Sequence, residues 1–333
     1  MKSYINLGNL KQLLFIGHLF VTCFATAEQQ QTTEQTFFKE PLTQYTKKCW
    51  HNTGGYNKGI KFFKDADGKD FVLKYQDTIT AINETLAAQM RASVGVPANQ
   101  VILLPKDTLF MGKSLQHTAT LHTHAPGKAV RDSQNMPYYV DIQDGLSKKI
   151  NLKSISENDD LCQNVAANLY DDNNDGSRAN LFFAQEGNRF CAIDLGNSFH
   201  HAHSLVDKNS LPHDLLATKA CSFVEKLRAK KLSPQQVTAL QRVDETLDKL
   251  ITHYPSHKIY DEWMNVAQQA NYTYSPQRKE YIKKLVEYNC SEIQRLRPHI
   301  DCAIEAQKIS YTLRSMAEPS KKAKRDFWHT MNS

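Results

Sequence analysis

The sequence predicts an α+β chain, with a small β-rich lobe over residues 41–125 and a larger, mainly helical lobe over residues 126–333. Two observations carry this expectation. Before residue 125, short runs rich in aromatic and β-branched residues, such as Ile60–Phe63 and Phe71–Tyr75, are separated by turns such as Asp65-Ala66-Asp67-Gly68. In the second half, aliphatic residues recur at helical spacing, as in Val237, Leu240, Val243, Leu247 and Leu250. The 333 residues, 41% of them hydrophobic, suffice for one bilobal unit with a sizeable core, and no repeat period interrupts them.

The first 27 residues differ in character. Lys2 and Lys11 precede the apolar run Leu13–Phe24, and Ala25-Thr26-Ala27 closes it. A basic start, a short apolar core and an A-x-A site describe a secretory signal peptide cleaved after Ala27, which implies an exported protein. The apolar core is too short to cross a bilayer comfortably, so no stable span is expected after cleavage. The alternative is an uncleaved membrane anchor over residues 10–27. The polar stretch within residues 28–40, rich in Gln and Thr, reads as a linker.

In the β-rich lobe, candidate strands Tyr45–Trp50 and Ile60–Phe63 flank Thr53-Gly54-Gly55-Tyr56-Asn57-Lys58-Gly59. Glycines in such a loop, here Gly54, Gly55 and Gly59, let backbone N–H groups approach phosphate oxygens closely, although the spacing is not that of a Walker A loop. The strand Phe71-Val72-Leu73-Lys74-Tyr75 carries a lysine near its end that could pair with nucleotide phosphates. Asn83 to Ala92 consists of strong helix formers, and Gly95 and Pro97 end it. Glu84 then falls in the first helical turn, where a carboxylate suits the helix dipole and could reach Lys74. Val101–Leu104 resumes as a strand. His117–Pro137 reads as a loop without a motif.

The helical lobe opens with a stripe of Leu161, Val165 and Leu169, which delivers the chain into Asn173-Asn174-Asp175-Gly176-Ser177-Arg178-Ala179-Asn180. Two short strands, Leu181–Ala184 and Arg189–Ile193, surround a Glu186-Gly187-Asn188 turn and end in Asp194-Leu195-Gly196. The hairpin would return Asp194 beside Asn180. An Asp, an Asn five residues later and an Asp-x-Gly after the next strand pair are the parts of a phosphoryl-transfer site. The first Asp orients or deprotonates the attacking hydroxyl, and the other two hold metal on the phosphates. An overlapping pattern, Asp171-x-Asn173-x-Asp175-Gly176, opens like a calcium-binding EF-hand loop but has Phe182 where the bidentate Glu belongs. Further on, Ser233-Pro234-Gln235-Gln236 and Ser275-Pro276 each start a helix with proline in its first turn.

Taken in order, these parts resemble the atypical branch of the protein-kinase-like superfamily, which includes phosphatidylinositol 3- and 4-kinases, HipA-type kinases and secretory-pathway kinases. Asn83-Glu84, Ala87-Ala88-Gln89-Met90 and Gly95-Val96-Pro97 look like the helix of the HipA and lipid kinases. Asn174-Asp175, Asn180 and Ala192-Ile193-Asp194-x-Gly196-x-Ser198-Phe199 look like the catalytic and metal loops of type II phosphatidylinositol 4-kinases. The resemblance spans about residues 50 to 200 and implies a bilobal protein-kinase-like fold with ATP and Mg2+ or Mn2+ in the cleft. It implies Asp175 as the catalytic aspartate, Asn180 and Asp194 as metal ligands, Lys74 as the phosphate lysine and Glu84 as its partner. The chain lacks a His-Arg-Asp sequence, has Leu195 where protein kinases have Phe, and has Gly176 where lipid kinases carry Arg. The acceptor therefore stays open between a protein and a phosphoinositide hydroxyl. Because ATP is scarce outside bacterial cells, the leader and the kinase-like parts together imply an exported effector acting in a host cell. The alternatives are an AMP transferase on the same fold and a non-catalytic nucleotide- or phosphoinositide-binding pseudokinase.

The net charge is +6, and removal of residues 1–27 takes two lysines and no acid. Part of the excess lies in Lys321-Lys322-Ala323-Lys324-Arg325, which reads as a solvated terminus; with no nucleic-acid motif, no nucleic-acid partner is expected. Six of the seven cysteines follow the leader, with no C-x-x-C pair, so a zinc cluster is not expected and no disulfide connectivity is fixed. His200, His201, His203 and His213 form a loop read as lying on the active-site side; zinc is the lesser alternative there.

Overall fold

The computed structural model describes residues 42–45, 60–129, 158–173, 180–184, 186–199 and 234–317. The leader, the linker, the glycine loop with Gly54, Gly55 and Gly59, Asp175, the histidines from His200 to His213, and the basic tail lie outside these residues.

The α+β class is the one the chain adopts, with sheets first and long helices last. Strands β1 (Thr43–Tyr45), β2 (Ile60–Lys64), β3 (Asp70–Tyr75), β4 (Val101–Leu104) and β7 (Ala119–Thr123) form an antiparallel sheet in the order β1-β2-β3-β7-β4. A two-stranded ribbon, β5 (Leu109–Phe110) and β6 (Lys113–Ser114), sits in the β4–β7 connection. Period-2 alternation divides the sheet's faces. Phe71 and Leu73 of β3 join Ala119 and Leu121 of β7, with Phe63, Phe110 and Leu115, in one apolar cluster. The intervening Val72 and Lys74 share the other face with Thr120 and His122, their direct neighbours across the β3–β7 ladder. On β4 Ile102 packs with the sheet cluster and Val101 and Leu103 with the helical core, so this strand reads as an unbroken apolar run.

Helix α1 (Thr78–Ser93) covers the polar face. It begins five residues before the start expected from sequence. Asp77 is its N-cap, accepting from the Thr80 N–H at 2.9 Å, which satisfies one of the orphan donors of the first turn. The β-branched run Thr78-Ile79-Thr80 hid this start, because β-branched residues are poorer helix formers. Glu84 consequently lies mid-helix, and the first-turn dipole role expected for it does not hold. The C-terminus closes as a Schellman motif: Gly95 has φ +79°, its N–H reaches Ala92 O at 3.2 Å, and the Val96 N–H reaches Arg91 O at 2.9 Å.

The reading of His117–Pro137 as a loop is also overturned, since residues 119–123 are β7, between β3 and β4 in the sheet. Its signal was the Ala119-Thr120-Leu121-His122-Thr123 alternation, masked because polar residues of the inner face are Thr and His. The described part of the expected Tyr45–Trp50 strand is Tyr45 alone, which ends β1.

Helix α2 (Asp159–Tyr170), with Asn158 as N-cap, leads to the hairpin β9 (Leu181–Ala184) and β10 (Arg189–Ala192). Asp160 pins the hairpin to α2 by accepting from the Arg189 guanidinium and, at 3.0 Å, from the Phe190 N–H. A third strand, β8 (Lys128–Ala129), adds to β9. Gly127 precedes it with φ +88°, and a Cβ there would lie 2.0 Å from Phe183 O, so only glycine fits this approach.

Helices α3 (Pro234–His253), α4 (Ser256–Gln269) and α5 (Pro276–Ala317) complete the described chain. Val237, Leu240, Val243, Leu247 and Leu250 are all buried, as the sequence stripe requires, and Ser275 Oγ caps α5 through the Arg278 N–H at 3.2 Å. The main core joins these helices to α2 and, with Ile82, Leu86 and Met90, to α1. Among the described residues no helix is long and apolar enough to cross a membrane.

Candidate active site

The site is built where β3, α1 and the end of β10 converge. Lys74, only 8% exposed, stands opposite Thr120 on the polar face of the sheet. Its Nζ lies 3.4 Å from Glu84 Oε1 and 3.5 Å from Oε2, and it also bonds Asp194 Oδ1. Lys74 thus bridges two carboxylates that are 110 residues apart in the chain.

Glu84 has no exposed surface, and a carboxylate there requires compensation. It receives it from Lys74, from Gln76 Nε2 at 2.6 Å, from Thr120 Oγ1 at 3.3 Å and from the Leu195 backbone N–H at 3.1 Å. The last bond ties α1 to the residue directly after Asp194. His122 is buried as well; its ring nitrogens lie 2.7 Å from Asn99 Nδ2 and 2.7 Å from Thr120 Oγ1, and its Nε2 is 3.6 Å from Glu84.

Asp194 follows β10 in the left-handed region, φ 54° and ψ 60°, and its side chain is 42% exposed. The Ile193 N–H donates to Asn180 O at 2.9 Å, so the hairpin brings Asn180 and Asp194 to the same end. Gly196 explains the Asp-x-Gly pattern locally: a Cβ there would stand 2.6 Å from Thr80 Cγ2 in the first turn of α1.

Burial favours the neutral form of each of these groups, and their neighbours decide the outcome. For Lys74, burial lowers the pKa, but the Glu84 and Asp194 carboxylates outweigh it and the net shift is upward. Burial would raise the Glu84 carboxyl, while His122, Lys74 and the Gln76 hydrogen bond bring it below its ordinary value. His122 itself is pushed down by burial, more than Glu84 draws it up; wherever the ring is uncharged it no longer lowers Glu84, and Lys74 is the counter-charge that remains.

The pair's pH window follows from these signs. A carboxyl with a depressed folded pKa contributes stability above its ordinary 4.5 and loses it as pH falls through the lower folded value. A lysine with a raised folded pKa contributes below its ordinary 10.5 and loses it as pH rises through the higher one. Glu84→Gln is therefore expected to be less stable than the parent by about 3 kcal/mol across the neutral range, with the gap closing below pH 4.5. Denaturant titrations at neutral and acidic pH check this, and a gap unchanged by acid would refute it.

Of the sequence-derived residues, the structure brings Lys74, Glu84 and Asp194 into contact and places Asn180 at the hairpin end beside Asp194. Gln76, Thr120, His122 and the buried Arg91 were missed. The EF-hand reading loses its first ligand, because Asp171 is buried against Arg91. Among the described residues no three His, Cys, Asp or Glu side chains could hold a metal together. Cys162, Cys191, Cys290 and Cys302 are free thiols, and burial pushes Cys162 and Cys191 up to about 11, which leaves them unreactive.

No protein-family model matches the chain, and no curated protein is significantly similar to it in sequence. Among the solved structures with some similarity to the chain are several kinases. A Helicobacter pylori proinflammatory kinase, CtkA, is 14% identical over 78% of this chain and 96% of its own, with a TM-score of 0.45. The Golgi casein kinase is 10% identical over 82% of this chain and 76% of its own, at 0.35. The Rio2 kinase of Chaetomium thermophilum, solved as an ADP/Mg2+-phosphoaspartate complex, is 12% identical over 84% and 75%, at 0.32. Likenesses of this strength carry no argument about this chain. The Lys74-bearing strand, the Glu84-bearing helix and the Asp194-bearing hairpin follow one another along the chain in the order expected from its sequence.

Proposed function

We propose that this chain is an ATP-dependent phosphotransferase that moves the γ-phosphoryl group to a protein or phosphoinositide hydroxyl. The carrying observation is the buried Lys74, which bridges Glu84 of α1 and Asp194 at the hairpin end. A lysine so held offers a fixed positive charge to nucleotide phosphates beside a partly exposed carboxylate. Phosphoryl transfer consists mainly of positioning and charge neutralisation, and this arrangement supplies both.

A Mg2+ or Mn2+ ion fits the donors present. Asp194 offers a partly exposed carboxylate, Asn180 an amide oxygen, and Mg2+ is ordinarily bound by one or two protein oxygens with substrate phosphates and water completing its shell. Bound there, the ion would neutralise phosphate charge. Glu84 keeps Lys74 in place, the Leu195 N–H bond fixes the backbone next to Asp194, and Asp175 is assigned to the acceptor hydroxyl. Gly54, Gly55 and Gly59 are assigned to the phosphates.

Purified protein incubated with ATP labelled at the γ or the α position, with candidate proteins and phosphoinositides, tests the reading. Acceptor labelling from γ only supports it. Labelling from α means nucleotidyl transfer, and no labelling with intact ATP binding means a pseudokinase. The same proposal includes export: the mature chain should begin at Glu28, and extracellular protein still starting at Met1 would overturn cleavage.

A further inference from the structure

Arg91, in the last turn of α1, is 1% exposed and takes no part in the chemistry described above. Its guanidinium meets three acceptors of α2 and the turn that follows. Nε and Nη2 lie 3.0 and 2.7 Å from Asp171 Oδ2, Nη1 lies 3.2 Å from Asn164 Oδ1, and Nη2 lies 2.6 Å from Asn168 Oδ1. Asp171 is itself 2% exposed. Two charges removed from water in this way hold only if each finds its partner, and pulling α1 away would strand both.

The turn so gripped is also fixed from other sides. The Asn173 N–H reaches Asn168 O at 3.1 Å, and the Phe199 N–H reaches Asp171 O at 2.6 Å. Asn83 Nδ2, next to Glu84, donates to Ser198 O at 3.1 Å. Beyond α1, Asn164 Nδ2 donates to Pro97 O, and Pro97 and Asn99 bond both sides of Ala192 in β10. Helix α1 is buried at Ala81 through Ala88, at Met90 and at Arg91, so it has solvent on little of its circumference.

We infer that Arg91 is a positioning residue of the phosphotransferase site: it locks α1, and through Glu84 the Lys74 pair, to the Asp171–Asn173 turn. The paired state is then set by the fold. This rests on the phosphotransferase reading and deepens it.

The test is a double-mutant cycle in the full chain, with ATP turnover and ATP binding measured well below the melting temperature. Arg91→Lys keeps the charge but cannot span the Asp171, Asn164 and Asn168 acceptors. It is expected to lower kcat by about 10- to 100-fold, the scale of a small misplacement at a distance. Combined with Glu84→Gln it should lower kcat no further than Glu84→Gln alone, because Arg91 acts through that residue's helix. A folded Arg91→Lys with the parent's kcat, or losses that multiply in the double variant, would overturn the inference. If Arg91→Lys does not fold, Asn168→Ala removes one hydrogen bond, leaves the ion pair, and should show the same non-additivity with a smaller drop. A parent that neither binds nor turns over ATP overturns the phosphotransferase reading and this inference with it. An active parent with additive variants overturns only the role of Arg91.

Discussion

Asp194→Asn is expected to lower phosphoryl transfer by roughly 10³-fold and to abolish its dependence on Mg2+ or Mn2+, while leaving the protein folded. The magnitude corresponds to several kcal/mol of charge stabilisation lost when a metal ligand becomes neutral. The fold should tolerate the change because the Asp194 side chain is 42% exposed and Asn has its shape. Lys74 retains Glu84, which has three further donors of its own, so the buried end of the network stays charge-balanced. Initial rates across a metal titration, with melting curves as a control, make the measurement. A folded variant with the parent's metal dependence would remove Asp194 from the site.

Much of this candidate site's geometry was legible because its residues lie in regular local context. Lys74 ends an alternating strand, and the strand was placed to within one residue. Asp194 follows a hairpin whose strands and Gly187 turn were readable from short-range pattern, and both strands were placed to within one residue. The C-terminal stripes gave the helices α3 and α5 for the same reason, since a 3.6-residue period persists over many turns.

The rest depends on contacts that sequence separation conceals. Glu84 was assigned to a first turn because β-branched residues concealed the Asp77 cap; its actual environment draws on residues 74, 76, 120 and 195 together. Strand β7 was missed because its inner face, with Thr120 and His122, is polar. That polarity makes sense only once Lys74 and Glu84 are seen to lie against it. Arg91 sat without distinction in the run of helix formers from Asn83 to Ala92. Its signal was on the partner: Asn164, Asn168 and Asp171 recur at helical spacing along one side of α2 and its C-cap, three acceptors awaiting a donor.

Asp175→Asn separates catalysis from binding. Along the sequence, Asp175 falls between the Asp171–Asn173 turn, held by Asn168 and Arg91, and Asn180, whose carbonyl accepts from Ile193. Its proposed contact is with the acceptor hydroxyl, which matters more in the transition state than in the ATP complex. Asn keeps the side chain's shape and removes its charge and basicity. Turnover should therefore fall by roughly 10²-fold or more, the usual scale for losing a general base, while ATP affinity and melting temperature stay near the parent's. Asn180→Ala should behave differently, impairing metal dependence and rate together, because its assigned role is through the cation. Parallel measurement of ATP binding and turnover in both variants distinguishes the two roles. If folded Asp175→Asn turns over like the parent, the catalytic assignment is wrong and Lys74, Glu84 and Asp194 describe a nucleotide-binding site without its base.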